Sequence, residues 1–194
     1  MRKKPVSTRP SVAQIEDEIR RLNYRKRYRS VLRSTIYALI TVAAVAVLIA
    51  TLWMPVLQIY GGSMSPTLVD GNIVVSVKTS DLQPGDIVAF YYNNKILVKR
   101  VIASSGDWFN LAEDGTVFVN GKELVEPYLE EKSFGDCDIE LPYQVPESRI
   151  FVMGDHRSVS VDSRNTAIGC IAEEQIVGRL VFCLWPLADF GILR

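Results

Sequence analysis

Three stretches of the 194-residue chain carry side chains able to do covalent or proton-transfer chemistry. The first, Tyr60-Gly61-Gly62-Ser63-Met64-Ser65-Pro66-Thr67-Leu68, sets a serine hydroxyl behind two glycines. Glycine opens backbone angles closed to other residues and lets a substrate chain approach closely. Taken alone, the stretch reads equally as a Gly/Ser/Pro turn. The second is Lys99, within Ile96-Leu97-Val98-Lys99-Arg100-Val101-Ile102. Strand alternation puts it on the face of Leu97 and Val101. A lysine desolvated among apolar side chains has a lowered pKa and can serve as a general base near neutrality. The plain alternative is an edge-strand lysine that reaches out to solvent. The third, from Met153 to Arg164, is dense in Asp, Arg and Ser after a strand. Such a loop suits hydrogen-bonded support of a site, and suits a polar surface equally. His156 is the one histidine of the chain, and its position does not by itself assign a Ser-His pair.

The elements that must position these groups read as β. Residues 72–78, 86–92, 96–102, 116–120, 149–153 and 176–184 are short and rich in Val, Ile, Phe and Tyr. Turn residues separate them: Asp70-Gly71, Pro84-Gly85-Asp86, Asn93-Asn94, Glu113-Asp114-Gly115 and Asn120-Gly121. Short strands at this spacing predict a mainly β domain, an antiparallel sandwich or barrel. Val117-Phe118-Val119 before Asn120-Gly121 is a hairpin signal. Residues 126–148 are acidic and interrupted by three prolines, an irregular excursion. Cys137, Cys170 and Cys183 fit no zinc spacing. They leave open a Cys170–Cys183 disulfide or buried free thiols.

Charge balance is misleading here. The chain holds 22 basic and 22 acidic residues and is formally neutral. Yet residues 1–33 carry eleven basic and three acidic groups, a net +8, and residues 70–194 carry −8. No charged residue lies between Arg33 and Asp70, and Ile36 to Leu57 is 22 residues of nearly unbroken apolar character. A bilayer core takes about 20 helical residues, so this run is long enough to cross. It is too long and starts too late for a cleaved leader, which favours an uncleaved anchor. The positive-inside rule then predicts a cytoplasmic segment 1–33, a transmembrane helix 34–57 and an extracytoplasmic domain 58–194. Trp53 and Tyr60 sit where an interfacial aromatic belt is expected. Ser11 and Gln14 fit a capping box, followed by Val12, Ile15, Ile19 and Leu22 at helical spacing. This basic leader would lie against anionic headgroups or serve topology alone. Neutral overall charge argues against nucleic-acid binding.

In combination the three stretches carry more. GGSMSPTL, PGDIVAF, VKRVIASSGD and MGDHRSVSVDSR occur in the order and approximate spacing of the boxes of bacterial type I signal peptidases. The chain resembles that family, particularly the single-span form of Gram-positive bacteria. The resemblance runs from the span to Trp185-Pro186 and leaves out residues 1–33 and 126–148. It implies Ser63 as nucleophile and Lys99 as general base, with Ser65 two residues late for that role. It implies that Ser160 orients the lysine amine and that Asp155, Arg157, Asp162 and Arg164 hold the active-site loop. Gly62, Met64, Arg100 and Ser163 belong to the same implied support. Relatives of the endoplasmic reticulum carry histidine at the lysine position, so Lys99 places the chain on the bacterial side. Gly61 stands where some members have a serine that assists the oxyanion, which leaves backbone N–H groups, chiefly that of Ser63, for the task. His156 and Ser158 replace the commonest Asn and Asp.

The implied activity is removal of signal peptides from secretory preproteins with small residues at −1 and −3, through an acyl-enzyme. No metal or cofactor is called for. The implied location is the bacterial cell membrane, single-pass, with lipid bilayer and preproteins as partners. Ser63 lies six residues beyond Leu57, at most ~20 Å of extended chain. The rivals are a non-catalytic membrane-anchored β-domain that binds extended peptides, and a sortase-like cysteine transpeptidase using Cys183 or Cys170 with His156. A soluble Ser/Lys self-cleaving repressor is excluded by the span.

Overall fold

A computed structural model describes residues 12–193. Ser11 of the expected capping box therefore lies outside the described residues. The chain divides into two compact units, 1–49 and 50–194.

Helix α1 (Val12–Trp53) runs for 42 residues. No glycine or proline interrupts it, and Pro55 follows two residues after its end, where a proline excludes further helix. The described part of the basic leader, from Val12, and the apolar run as far as Trp53 are thus one continuous helix. Its side chains from 12 to 48 are exposed, and by length and composition it can cross a membrane. The expected span reached residue 57; instead its last two residues, Val56 and Leu57, form a strand with Gln58. Pro55 is the physical reason, and an apolar run alone does not reveal where a helix hands over to a strand.

The second unit is built of β1 (Val56–Gln58), β2 (Ile73–Val77), β3 (Ile87–Tyr92), β4 (Lys95–Ala103), β5 (Trp108–Leu111) and β6 (Val117–Val119). It continues with β7 (Lys122–Glu123), β8 (Tyr143–Gln144), β9 (Arg149–Met153), β10 (Ile171–Ala172), β11 (Ile176–Trp185) and β12 (Gly191–Ile192). The larger sheet runs β1-β2-β11-β3-β4-β9-β10 with β12 on β11, and the smaller runs β7-β6-β5-β8. All pairs are antiparallel, so the mainly β, antiparallel architecture read from the alternation is the one observed. Each of the six expected strands is present. The unforeseen ones are two to four residues long, except that Trp108-Phe109-Asn110-Leu111 alternates exposed and buried and was legible. The β3–β4 hairpin turns through Asn93 and Asn94, both at positive φ, and the β6–β7 hairpin through Asn120 and Gly121 likewise; asparagine and glycine tolerate those angles.

Residues 126–148 form only β8 as regular structure. Their acidity conceals apolar anchors: Phe134, Cys137, Ile139 and Leu141 pack on the core around Phe109 and Phe151, whose rings stack at 4.1 Å. All three cysteines are free. Cys170 and Cys183 sit in separate core clusters, which resolves the alternative left open in favour of buried thiols.

Candidate active site

Ser63 is carried by the turn between β1 and β2. Met64 and Leu68, 2% and 1% exposed, anchor this turn in the core around Val74 and Ile87. The Leu68 N–H bonds the Met64 carbonyl at 2.9 Å and the Ser65 N–H bonds that of Gly62 at 3.1 Å. Gly61 has φ +85°, an angle that suits glycine. Its N–H donates to Asp70 Oδ1 at 2.7 Å. With the turn pinned on both sides, Ser63 is held half-buried at its tip.

Lys99 comes from β4, the strand flanked by β3 and β9. It is 4% exposed, and Nζ donates to Ser63 Oγ at 2.7 Å. Burial lowers its pKa to about 8; Asp162 and Asp155 oppose the shift and Arg164 adds to it. Two residues 36 apart in sequence thus form a hydroxyl–amine pair in which a deprotonated amine can accept the Ser63 proton. Ser65 has no such contact among the described residues.

The loop after β9 stands behind this pair. Asp162 and Arg164 form a fully buried bidentate ion pair, Nε–Oδ1 2.8 Å and Nη2–Oδ2 2.9 Å. Asp162 Oδ2 also accepts from the Gly154 N–H at 3.0 Å. Ser163 ties the loop back to β9, its Oγ accepting from the Val152 N–H at 3.0 Å. Arg100, next to the lysine, holds Asp155 through Nε–Oδ1 2.9 Å and Nη2–Oδ2 2.7 Å, while Thr67 Oγ1 donates to Asp155 Oδ2 at 2.6 Å. That ion pair therefore joins β4, the Ser63 turn and the loop. Arg157 Nε donates to the Gly154 carbonyl at 3.1 Å. A Cβ on Gly154 would lie 2.4 Å from the Ser63 carbonyl oxygen and 2.3 Å from Ser160 Oγ, so only glycine lets the loop come this close.

One expected contact differs. Ser160 is buried beside Gly154, yet its Oγ has no hydrogen-bond partner among the described residues. The anticipated bond between Ser160 and the lysine amine is not formed; Nζ donates to Ser63 Oγ. His156 reaches Ser63 through its backbone N–H, which donates to the Ser63 carbonyl at 3.1 Å. Its ring Nδ1 lies 3.3 Å from the Gly62 carbonyl, which does not make a Ser-His pair. Nor do the cysteines make a nucleophilic site: burial pushes the Cys170 and Cys183 thiols up, away from the reactive thiolate. Sequence reasoning missed Thr67, Glu126 and Tyr128. Thr67 lay inside a quoted motif, but the other two carried no local signal.

Beside Ser63 opens a groove of about 570 Å³, lined by Leu57, Ile59, Met64, Leu97, Val98 and Lys99 among others. β4 pairs with β3 along 95–100 but with β9 only from Arg100 onward. Residues 95–99 thus leave a backbone edge unpaired. The Ser63 N–H has no acceptor among the described residues, so a donor stands beside the hydroxyl.

A family model described as signal peptidase, peptidase S26, matches residues 32–185. It runs through residues 126–148, which the motifs alone had left outside. Signal peptidase IB of Staphylococcus aureus (strain COL) is 41% identical over 152 residues, 68% of this chain and 78% of its own. Signal peptidase I of Bacillus amyloliquefaciens is 36% identical over 165 residues, covering 78% and 84%. A crystal structure of a signal peptidase I from Enterococcus faecalis V583 matches with a TM-score of 0.45 and 28% identity, over 52% of this chain and 97% of that one.

Proposed function

The chain belongs to the signal peptidases of peptidase family S26, and from that membership we propose that it is a membrane-anchored Ser/Lys endopeptidase that removes signal peptides from secretory preproteins. The observation that carries the dyad is the 2.7 Å approach of Lys99 Nζ to Ser63 Oγ, with the lysine buried and its pKa lowered to about 8.

The neutral amine takes the Ser63 hydroxyl proton as Oγ bonds to the scissile carbonyl carbon, and the carbonyl electron pair moves onto oxygen. The Ser63 N–H is the donor best placed to stabilise that oxyanion. Collapse breaks the C–N bond, and the Lys99 ammonium gives its proton to the departing amine. A water then loses a proton to Nζ and attacks the ester. Oγ leaves, recovers the proton from the ammonium, and the dyad is restored.

The preprotein would lie extended along the unpaired edge of 95–99, bound by strand addition. Ile59, Leu97 and Val98 offer shallow apolar contacts, which suits small residues at −1 and −3. We assign α1 to the bilayer with the basic leader in the cytoplasm. Ser63 follows the helix within about ten residues, at most ~35 Å of chain, which keeps the reaction near the membrane face where a translocated precursor is anchored.

Ser63→Ala and Lys99→Ala should each reduce cleavage of a preprotein with an Ala-x-Ala junction by at least ~10³-fold, as loss of a nucleophile or its base does. Product release assayed with the full chain in vesicles tests this. Near-wild-type turnover in either variant rejects the dyad.

A further inference from the structure

The acidic excursion holds two side chains that the mechanism above does not use. Glu126 and Arg157 form a buried ion pair, each side chain 0% exposed. Arg157 Nη1 donates to Oε2 at 3.0 Å and Nη2 to Oε1. Two residues on, the Tyr128 hydroxyl donates to the same Oε1 at 2.8 Å. Its ring lies against the Arg100 guanidinium, 3.9 Å from centroid to Cζ. Burial and the neighbouring Glu126 carboxylate push the phenol pKa far up, so it remains a neutral donor. One short segment thus grips both arginines that brace the reaction centre.

We infer that Glu126 and Tyr128 are positioning residues for the Ser63/Lys99 reaction, acting through Arg157 and Arg100. The inference rests on the dyad reading. Arg157 spends its third nitrogen on the Gly154 carbonyl, and Gly154 touches the Ser63 carbonyl with no room to spare. Arg100 holds Asp155, which in turn accepts from Thr67 of the nucleophile turn. Glu126 is the one carboxylate paired with Arg157 among the described residues; Asp155 is occupied by Arg100 and Thr67. Without Glu126 a buried guanidinium is left uncompensated, which costs far more than losing an exposed pair. The cheapest relief is for Arg157 to move toward water, and Gly154 moves with it. A displacement of about 1 Å at a reacting group can cost ~10²-fold in rate. None of Glu126, Tyr128, Arg100 and Arg157 lines the groove, so the loss falls on kcat.

The test is steady-state cleavage of an Ala-x-Ala preprotein by the full chain in vesicles, with kcat expressed per folded molecule from near-ultraviolet circular dichroism. Glu126→Gln keeps the shape and removes the charge; it should lower kcat by ~10- to 100-fold, with KM within twofold. Tyr128→Leu should lower kcat less, and Tyr128→Phe, which keeps the ring over Arg100, should recover most of that loss. Glu126→Leu/Arg157→Met, which removes both charges, should be more active than either single variant, since paired apolar replacement is tolerated where a lone buried charge is not. A merely structural role would lower the folded fraction and leave kcat per folded molecule unchanged, and that outcome overturns the inference, as does an additive double variant. Wild-type kcat in Glu126→Gln beside an inactive Ser63→Ala overturns this inference alone. Activity in Ser63→Ala overturns the dyad reading beneath it.

Discussion

At the scale of single residues, the central quantity is the protonation state of Lys99. Burial is the largest influence on it and lowers the pKa from 10.5 to about 8. In the proposed dyad the base is the neutral amine, so the active fraction should grow as pH rises. Below about 8, kcat/KM should fall roughly tenfold per pH unit, and above it should level off. A rate profile on a peptide with no titrating groups of its own measures this; a rate independent of pH through this range would exclude Lys99 as the base. Stability carries a matching sign. With the folded pKa below the unfolded one, the unfolded chain holds the extra proton between about 8 and 10.5. This group's contribution to stability therefore rises with pH across that window and is least favourable below it. Ser160 illustrates a different cost: a buried hydroxyl without a partner is the kind of exception that marks a functional centre.

At the scale of elements, β4 does two jobs along its nine residues. Its C-terminal half is buried and pairs with β9 from Arg100 onward, and Arg100 itself is paired on both sides. Its N-terminal half is paired on one side only and offers alternate N–H and C=O groups to a substrate strand. In an extended ligand every second amide faces that edge. N-methylating those amides in a cleavage-site peptide should weaken binding by about tenfold each, close to the worth of one hydrogen bond. The intervening amides should tolerate the methyl group. Competition against a preprotein would separate the two sets, and equal losses at all positions would rule out strand addition. The loop after β9 behaves as the other half of the site, because the Asp162–Arg164 and Arg100–Asp155 pairs are buried and charge-balanced.

At the scale of the whole molecule, the neutral total hides an ordered distribution: +8 before the apolar run and −8 after residue 70. Helix α1 provides the length needed to cross a bilayer. The positive-inside rule predicts that the basic end stays in the cytoplasm and the β unit lies outside. With one epitope at each end of the chain, protease added to intact spheroplasts should destroy the C-terminal epitope and spare the N-terminal one. The reverse result would place Ser63 on the wrong side for translocated substrates.

How much of this was legible in the residues depends on the range of each interaction. The six expected strands, the apolar run, the Asn120-Gly121 turn and the candidacy of Ser63 and Lys99 were all readable. Periodicity, turn angles and side-chain reactivity are local properties that a backbone expresses wherever it folds. The end of the helix was misread by a few residues because Val56 and Leu57 are as apolar as what precedes them. Only the tertiary structure decided that Lys99 is buried against Ser63, that the Ser160 hydroxyl is buried without a hydrogen-bond partner among the described residues, and that Glu126, 31 residues from Arg157, is its partner. Many carboxylates in an acidic stretch could satisfy an arginine equally well. Which one does so is settled by how the sheets close around it, and composition does not encode that closure.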